Sequence, residues 1–347
     1  MEKAFNENAA TAKNGNFMGL PFTYQEADLI LYPVPWDVTT SYKDGTHSAW
    51  ENILEASYQL DLKDPYGNDE WKRGFFLTNP NAFALQHNKP LRQLAIQHID
   101  RLENQEEEWD AQEEEYLAEL NLINEGSTRL VEEIEKELES FLDAGKLVGL
   151  IGGEHSVPLG MLKALAKVHD SFGVLTIDAH MDLREEYEGF VHSHASIFYH
   201  VSSMEAVSQL VQVGIRDWCQ EEEEYVEASE GKIKVFFDHQ LKEGLFKGKT
   251  WHEWTVEIIE TLPQKVYISF DIDGLDPSLC PHTGTAVPGG LSFEQAMYLI
   301  HQIVESGRQM IGFDLSEVAG IGHEWDGNVG ARVLYRLSNQ LLKSNPT

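Results

Sequence analysis

From residue 146 onward, short uninterrupted apolar runs alternate with amphipathic segments. The runs are LVGLIGG (147–153), FGVLTIDAH (172–180), LVQVGIR (210–216), KIKVFFD (232–238), KVYISFDID (265–273) and QMIGFDLSEV (309–318), and segments such as PLGMLKALAKVH and SFEQAMYLIHQIVESG lie between them. Strands without in/out alternation, separated by amphipathic helices, predict a parallel sheet covered by helices on both faces, a three-layer α/β/α arrangement. Ligands of such sheets gather beyond the C-terminal strand ends. Four of the runs lead into polar residues there: GGEHS, DAHMD, FDIDGLDP and DLSEV.

Upstream the pattern is less regular. Residues 1–25 read as a polar arm, and 26–347 as a single α/β domain. DLILYPVPWD (28–37) is apolar and ends in proline, so it predicts a first strand entering a loop. Residues 38–48 are turn-rich, 49–60 can start a helix, and 61–90 read as irregular. Residues 91–145 read mainly as helix and contain EEEWDAQEEEY (106–116), whose charges suit a solvated face. A second acidic run, Glu221 to Glu224, suits the positive end of a helix dipole.

Charge narrows the partners. The 347 residues carry 58 acidic against 26 basic side chains, a formal net charge of −32. Phosphate neutralisation needs Lys and Arg, so nucleic acid and anionic membranes are not expected partners. A negative field favours cationic substrates and metal ions. Cys219 and Cys280 form no Cys-x-x-Cys pattern, the opening segment has no apolar signal-peptide core, and no apolar run is long enough to span a membrane. These features predict a cytoplasmic protein.

The strand ends supply the chemistry. An extended chain sends i, i+2 and i+4 to one side, which would aim Asp178, His180 and Asp182 at one point. Asp271 and Asp273 repeat the spacing, and His155 follows a Gly-Gly turn. Four carboxylates and two imidazoles without a thiolate suit Mn²⁺, with Ni²⁺, Co²⁺ or Fe²⁺ as alternatives. Four carboxylates at one point repel unless cations neutralise them, and two divalent ions would do so while activating a water.

In this order across residues 148–320, GGEHS, DAHMD, SFDIDGLDP, TGTAVPGGL and the SEV glutamate resemble the ureohydrolase family, which includes arginase, agmatinase, formiminoglutamase and guanidine hydrolase. YPVPWDVTTSYKDGT resembles that family's first strand and loop, so the likeness covers about residues 28–340. It implies a mainly parallel eight-stranded sheet of arginase-like fold, a homotrimer or homohexamer, and hydrolysis of a guanidino C–N bond by water. Carried over by position, it implies that Asp178 and Asp271 bridge two ions, that His155 and Asp182 complete one shell, and that His180 and Asp273 complete the other. A catalytic histidine would follow in EGFVHSHASIF. The Ser-His-Ala-Ser context points to His194, with His192 as the alternative. Glu317 would hold the guanidinium, and Thr285 would touch substrate or product. His194 would serve as a general acid with a pKa near neutrality.

Departures from the family bear on substrate. HSHASI replaces the Ser-x-Asn-x-His-Gly type segment of arginases, which argues against arginine. Arg184 could meet the carboxylates of formiminoglutamate, yet Glu185, Glu186 and Glu188 surround it and suit a cationic tail. Agmatine is the first expectation, with guanidine, arginine and formiminoglutamate as alternatives. A single-zinc deacetylase relative is disfavoured by the intact His180 and Asp273. A non-catalytic member is disfavoured by the complete ligand set.

Overall fold

The computed structural model describes residues 5–9, 11–104 and 113–346, so most of the acidic stretch, residues 106–112, lies outside the described residues. Among those described, eight strands form one sheet: β1 (Leu29–Pro33), β2 (Phe75–Leu77), β3 (Leu147–Ile151), β4 (Phe172–Ile177), β5 (Val207–Ile215), β6 (Ile233–Phe237), β7 (Lys265–Asp271) and β8 (Gln309–Ser316). The order is β2-β1-β3-β8-β7-β4-β5-β6, and every pairing is parallel. All six apolar runs after residue 146 became strands. β2 was not anticipated.

Helices cover both faces: α1 (Ala49–Ser57), α2 (Ala82–Asn104), α3 (Glu113–Asp143), α4 (Pro158–Val168), α5 (Ile197–Ser202), α6 (Gln220–Ala228), α7 (Asp238–Phe246), α8 (Trp251–Glu260), α9 (Phe293–Glu305) and α10 (Glu324–Ser344). The uninterrupted strands follow from this layering. On β4, Leu175 and Ile177 enter a core shared with α8, α9 and α10, while Phe172 and Val174 enter one shared with α2, α3 and α4. Successive side chains are buried in opposite layers, each stabilising the fold by roughly 1.5–3 kcal/mol. No helix among the described residues is long and apolar enough to cross a membrane.

The open edge at β2 is closed by a side chain. Asn16 donates to Phe75 O at 2.9 Å and accepts the Leu77 N–H at 2.8 Å. Asn16 to Leu20, near the end of the segment that reads as a polar arm, are buried.

The strand order places the site. The chain leaves β3 for β4, three positions away, and later fills the gap with β7 and β8. The C-terminal tips of β3, β8, β7 and β4 are therefore neighbours, although the sequence separates them widely.

Candidate functional site

His155 reaches the centre through Gly152, Gly153 and Glu154, just after β3. A side chain at Gly153 would overlap the Trp36 backbone. The Gly153 N–H donates to Val34 O at 3.1 Å and the Glu154 N–H to Trp36 O at 2.8 Å, so the loops after β1 and β3 are tied together. On its far side, His155 Nε2 meets Ser269 Oγ at 2.9 Å. Behind them lies buried Asp314, which accepts from Tyr267 at 2.8 Å and Ser316 at 3.0 Å. This arrangement fixes the ring and turns Nδ1 toward the site.

The residues after β4 converge differently from the extended-chain expectation. β4 ends at Ile177, and Asp182 is left-handed, with φ 51°. Asp178 and Asp182 turn to His155, their Oδ2 atoms 3.0 and 3.1 Å from its Nδ1. His180 points instead to Asp273, with Nδ1 to Oδ2 at 3.1 Å. Asp271 closes β7 with Oδ2 3.2 Å from His155 Nδ1, and Asp273 sits in the tight turn Ile272–Gly274. In both segments a local turn commits one oxygen. Asp178 Oδ1 accepts the His180 N–H at 2.7 Å, and Asp271 Oδ1 accepts the Asp273 N–H at 2.8 Å. The other oxygen of each is left to face the centre.

Two donor triads result: His155, Asp178 and Asp271, and Asp178, His180 and Asp273, with the donor atoms of each triad within 4.8 Å of one another. Asp178 belongs to both, and Asp271 to the first. These residues fit metal ions. His155 Nδ1 and Asp178 Oδ2 are buried without a hydrogen-bond partner although they lie 3.0 Å apart. Adjacent ligands of a small octahedral ion, each ~2.1 Å from it, are separated by ~3 Å. The carboxylate-rich, sulfur-free set matches hard to borderline divalent ions.

Without ions, this pocket holds protons. Burial, with Asp178 close by, pushes Asp182 up to about 7. Burial and the neighbouring Asp273 and Asp178 raise Asp271 well above the carboxylate range. Burial opposes charge on both imidazoles, but the carboxylates outweigh it. Asp178, Asp182 and Asp271 hold His155 well above its ordinary value, and Asp273 and Asp178 do the same for His180. Ion binding must displace such protons.

A cavity of about 380 Å³ opens over the second triad. Of the residues expected from sequence, His180, Asp182, His194 and Thr285 line it; His192 does not. Burial and the nearby His180 charge pull His194 down to about 3, well below the expected neutral range. Glu317 is buried beside the cavity wall. Its Oε1 accepts the His155 N–H at 2.9 Å, and a side chain at Gly284 would stand 3.7 Å from its Oε2. Like Asp182, Glu317 is left-handed, with φ 62°, a cost of roughly 1–2 kcal/mol for a non-glycine residue.

The cavity also exposes what the sequence reading missed. Glu185, Glu186 and Glu188 do not line it; Asp217, Glu222, Ser41, Tyr187 and Trp218 do, together with Arg184. Asp217 follows β5 and bridges in parallel to His180, so the strand-end rule applied to LVQVGIR could have found it. Glu222 is buried and accepts the N–H groups of Leu183 at 3.0 Å and Cys219 at 2.9 Å, which fastens the segment after Asp182 to α6.

The sequence matches the Arginase family over residues 27–337. It is 31% identical over 313 residues to an N(1)-aminopropylagmatine ureohydrolase of Thermus thermophilus, covering 90% of this chain and 89% of that one. It is 30% identical over 302 residues to the agmatinase of Bacillus anthracis, covering 86% of each. The fold is shared with the agmatine ureohydrolase of Thermoplasma volcanium (TM-score 0.70, 22% identity, 93% and 92% of the two chains covered). It is shared likewise with the proclavaminate amidino hydrolase of Streptomyces clavuligerus (TM-score 0.72, 22% identity, 95% and 97% covered). With the donor cluster at the tips of β3, β4 and β7 and the family match over most of its length, this chain belongs to the arginase family and is a hydrolase of guanidino compounds.

Proposed function

We propose that the protein binds two divalent ions and hydrolyses agmatine, or agmatine carrying an aminopropyl group, to urea and the corresponding amine. The observation that carries this reading is the pair of donor triads sharing Asp178. His155, Asp178, Asp182 and Asp271 would hold one ion. Asp178, His180 and Asp273, with Asp271 beside them, would hold the other. When bound, such a pair supplies Lewis acidity and a water acidic enough to react near neutral pH.

The chain's own groups do the rest. Glu317 Oε2 would pair with the guanidinium and set its carbon in place. His194, neutral at pH 7, would take a proton from the attacking water and return it to the departing nitrogen. Asp217, an exposed carboxylate with no ion pair among the described residues, would receive the cationic tail, and Thr285 would touch substrate or product. The cavity volume of about 380 Å³ leaves room for a tail beyond the guanidinium, which favours these substrates over free guanidine. The names of the Thermus and Bacillus relatives point the same way.

Manganese in a cytoplasmic homotrimer or homohexamer completes the proposal. The oxygen-rich donors support the metal, two free cysteines suit a reducing compartment, and family membership supports the assembly. The test is urea release by manganese-loaded protein from agmatine, N(1)-aminopropylagmatine, arginine, guanidine and formiminoglutamate, the last followed by its nitrogen product. Highest kcat/KM on the two amine-tailed substrates supports the proposal, and preference for arginine, guanidine or formiminoglutamate contradicts it.

A further inference from the structure

The loop between β1 and α1 is held from three sides. Beneath it, buried Glu154 accepts the Thr39 N–H and the Thr39 hydroxyl, both at 2.8 Å, and the Ser156 hydroxyl at 2.6 Å. Behind it, Arg92 of α2 donates to Val38 O at 3.2 Å and Thr40 O at 2.6 Å. At its root, Asp37 accepts from Asn88 Nδ2 and from the Gly45 N–H, each at 2.8 Å.

The clamped loop touches His194 twice. Thr39 Oγ1, with its proton committed to Glu154, accepts the His194 N–H at 3.3 Å. Ser41, two residues on, places its Oγ 3.3 Å from His194 Nε2. Among the described residues no other polar group meets this ring, and its Nδ1 is buried without a partner. A buried N–H lacking an acceptor is rarer than a bare lone pair. The ring proton therefore belongs on Nε2, donated to Ser41, with Nδ1 left as a free base.

We propose that Ser41 is a positioning residue for this reaction: held by the Glu154 and Arg92 contacts, it fixes the tautomer and ring orientation of His194. The proposal rests on reading His194 as the proton-transfer group. The far side of Ser41, Tyr42 and Lys43 walls a second cavity of about 730 Å³, so the loop has room to swing once its contacts are cut.

Two measurements test it: steady-state kinetics on agmatine, and histidine-selective ¹⁵N NMR of the metal-free protein to identify the His194 tautomer. Ser41→Ala should lower kcat by about 10–100-fold, within the scale of proton-transfer catalysis, with KM changed less than about threefold. The Nε2–H tautomer should become a mixture. Ser41→Thr should restore both. Arg92→Met, which removes no hydrogen bond to His194, should move both readouts the same way by a smaller factor. Wild-type kcat and tautomer in Ser41→Ala, beside an inactive His194→Ala, would overturn the role of Ser41 alone. So would a slowed Ser41→Ala that keeps the Nε2–H tautomer. Full turnover in His194→Ala would instead overturn the reading of His194 on which this one rests.

Discussion

Asp178 Oδ2 and His155 Nδ1 lie 3.0 Å apart, both buried. Atoms of this polarity hold that distance only with a proton or a cation between them, a proton in the ion-free protein and a metal ion when one is bound. Asp178 also belongs to the triad with His180 and Asp273. Asp178→Asn should therefore lose both ions together and lower turnover by about a thousandfold. Elemental analysis of the purified variant checks this; two retained ions would show that Asp178 does not join the sites.

Acidity of the ion-free pocket predicts an unusual stability profile. Glu154 and Asp182 are both pushed up to about 7, in each case chiefly by burial. Their folded-state values exceed the unfolded ones, so the folded chain binds more protons across that interval. The stability they contribute is complete below about pH 4 and is lost as pH rises through about 7. Asp271, His155 and His180 are shifted in the same direction. Metal-free protein should unfold at lower urea at about pH 8 than at about pH 6, and saturating Mn²⁺ should remove most of that slope. A midpoint that climbs with pH without metal would contradict the assignment.

Asp217 tests the tail. Asp217→Asn should raise KM for agmatine about two- to fivefold, the scale of one exposed ion pair, and leave kcat nearly unchanged. Any residual turnover of free guanidine should be unaffected, because guanidine has no tail. An equal effect on both substrates would move Asp217 out of the recognition role.

Glu222 joins stability to the site. Glu222→Ala leaves the N–H groups of Leu183 and Cys219 without their acceptor, a loss of about 2–4 kcal/mol in urea denaturation. Leu183 follows Asp182 directly, so manganese affinity measured by calorimetry should fall as well. Unchanged affinity would mean that the turn holding Asp182 is stable on its own.

Much of this architecture was legible in the chain. The inner strands were visible because they are buried on both faces and read as apolar runs, as in FGVLTI of β4, whereas the edge strand β6 is only partly buried. The candidate donor cluster was visible because short polar motifs directly follow those runs. β2 was not: its three residues, FFL, sit in a segment rich in turn formers and become a strand only by pairing with β1. Glu222 lies in an acidic run that reads as solvated, and only the fold brings it to the Leu183 N–H. Ser41 and Thr39 are loop hydroxyls without periodicity, and their meaning depends on Glu154 and His194, each more than 100 residues away. The direction of each candidate donor was also hidden, since the left-handed turn at Asp182 separates the aims of His180 and Asp182.

The most direct measurement is a stepwise Mn²⁺ titration of metal-free protein by calorimetry, with urea release from agmatine followed at each step. The account predicts two ions bound per chain and full turnover only as the second site fills. Full turnover at a single bound ion, or urea release from protein that holds none, would contradict it.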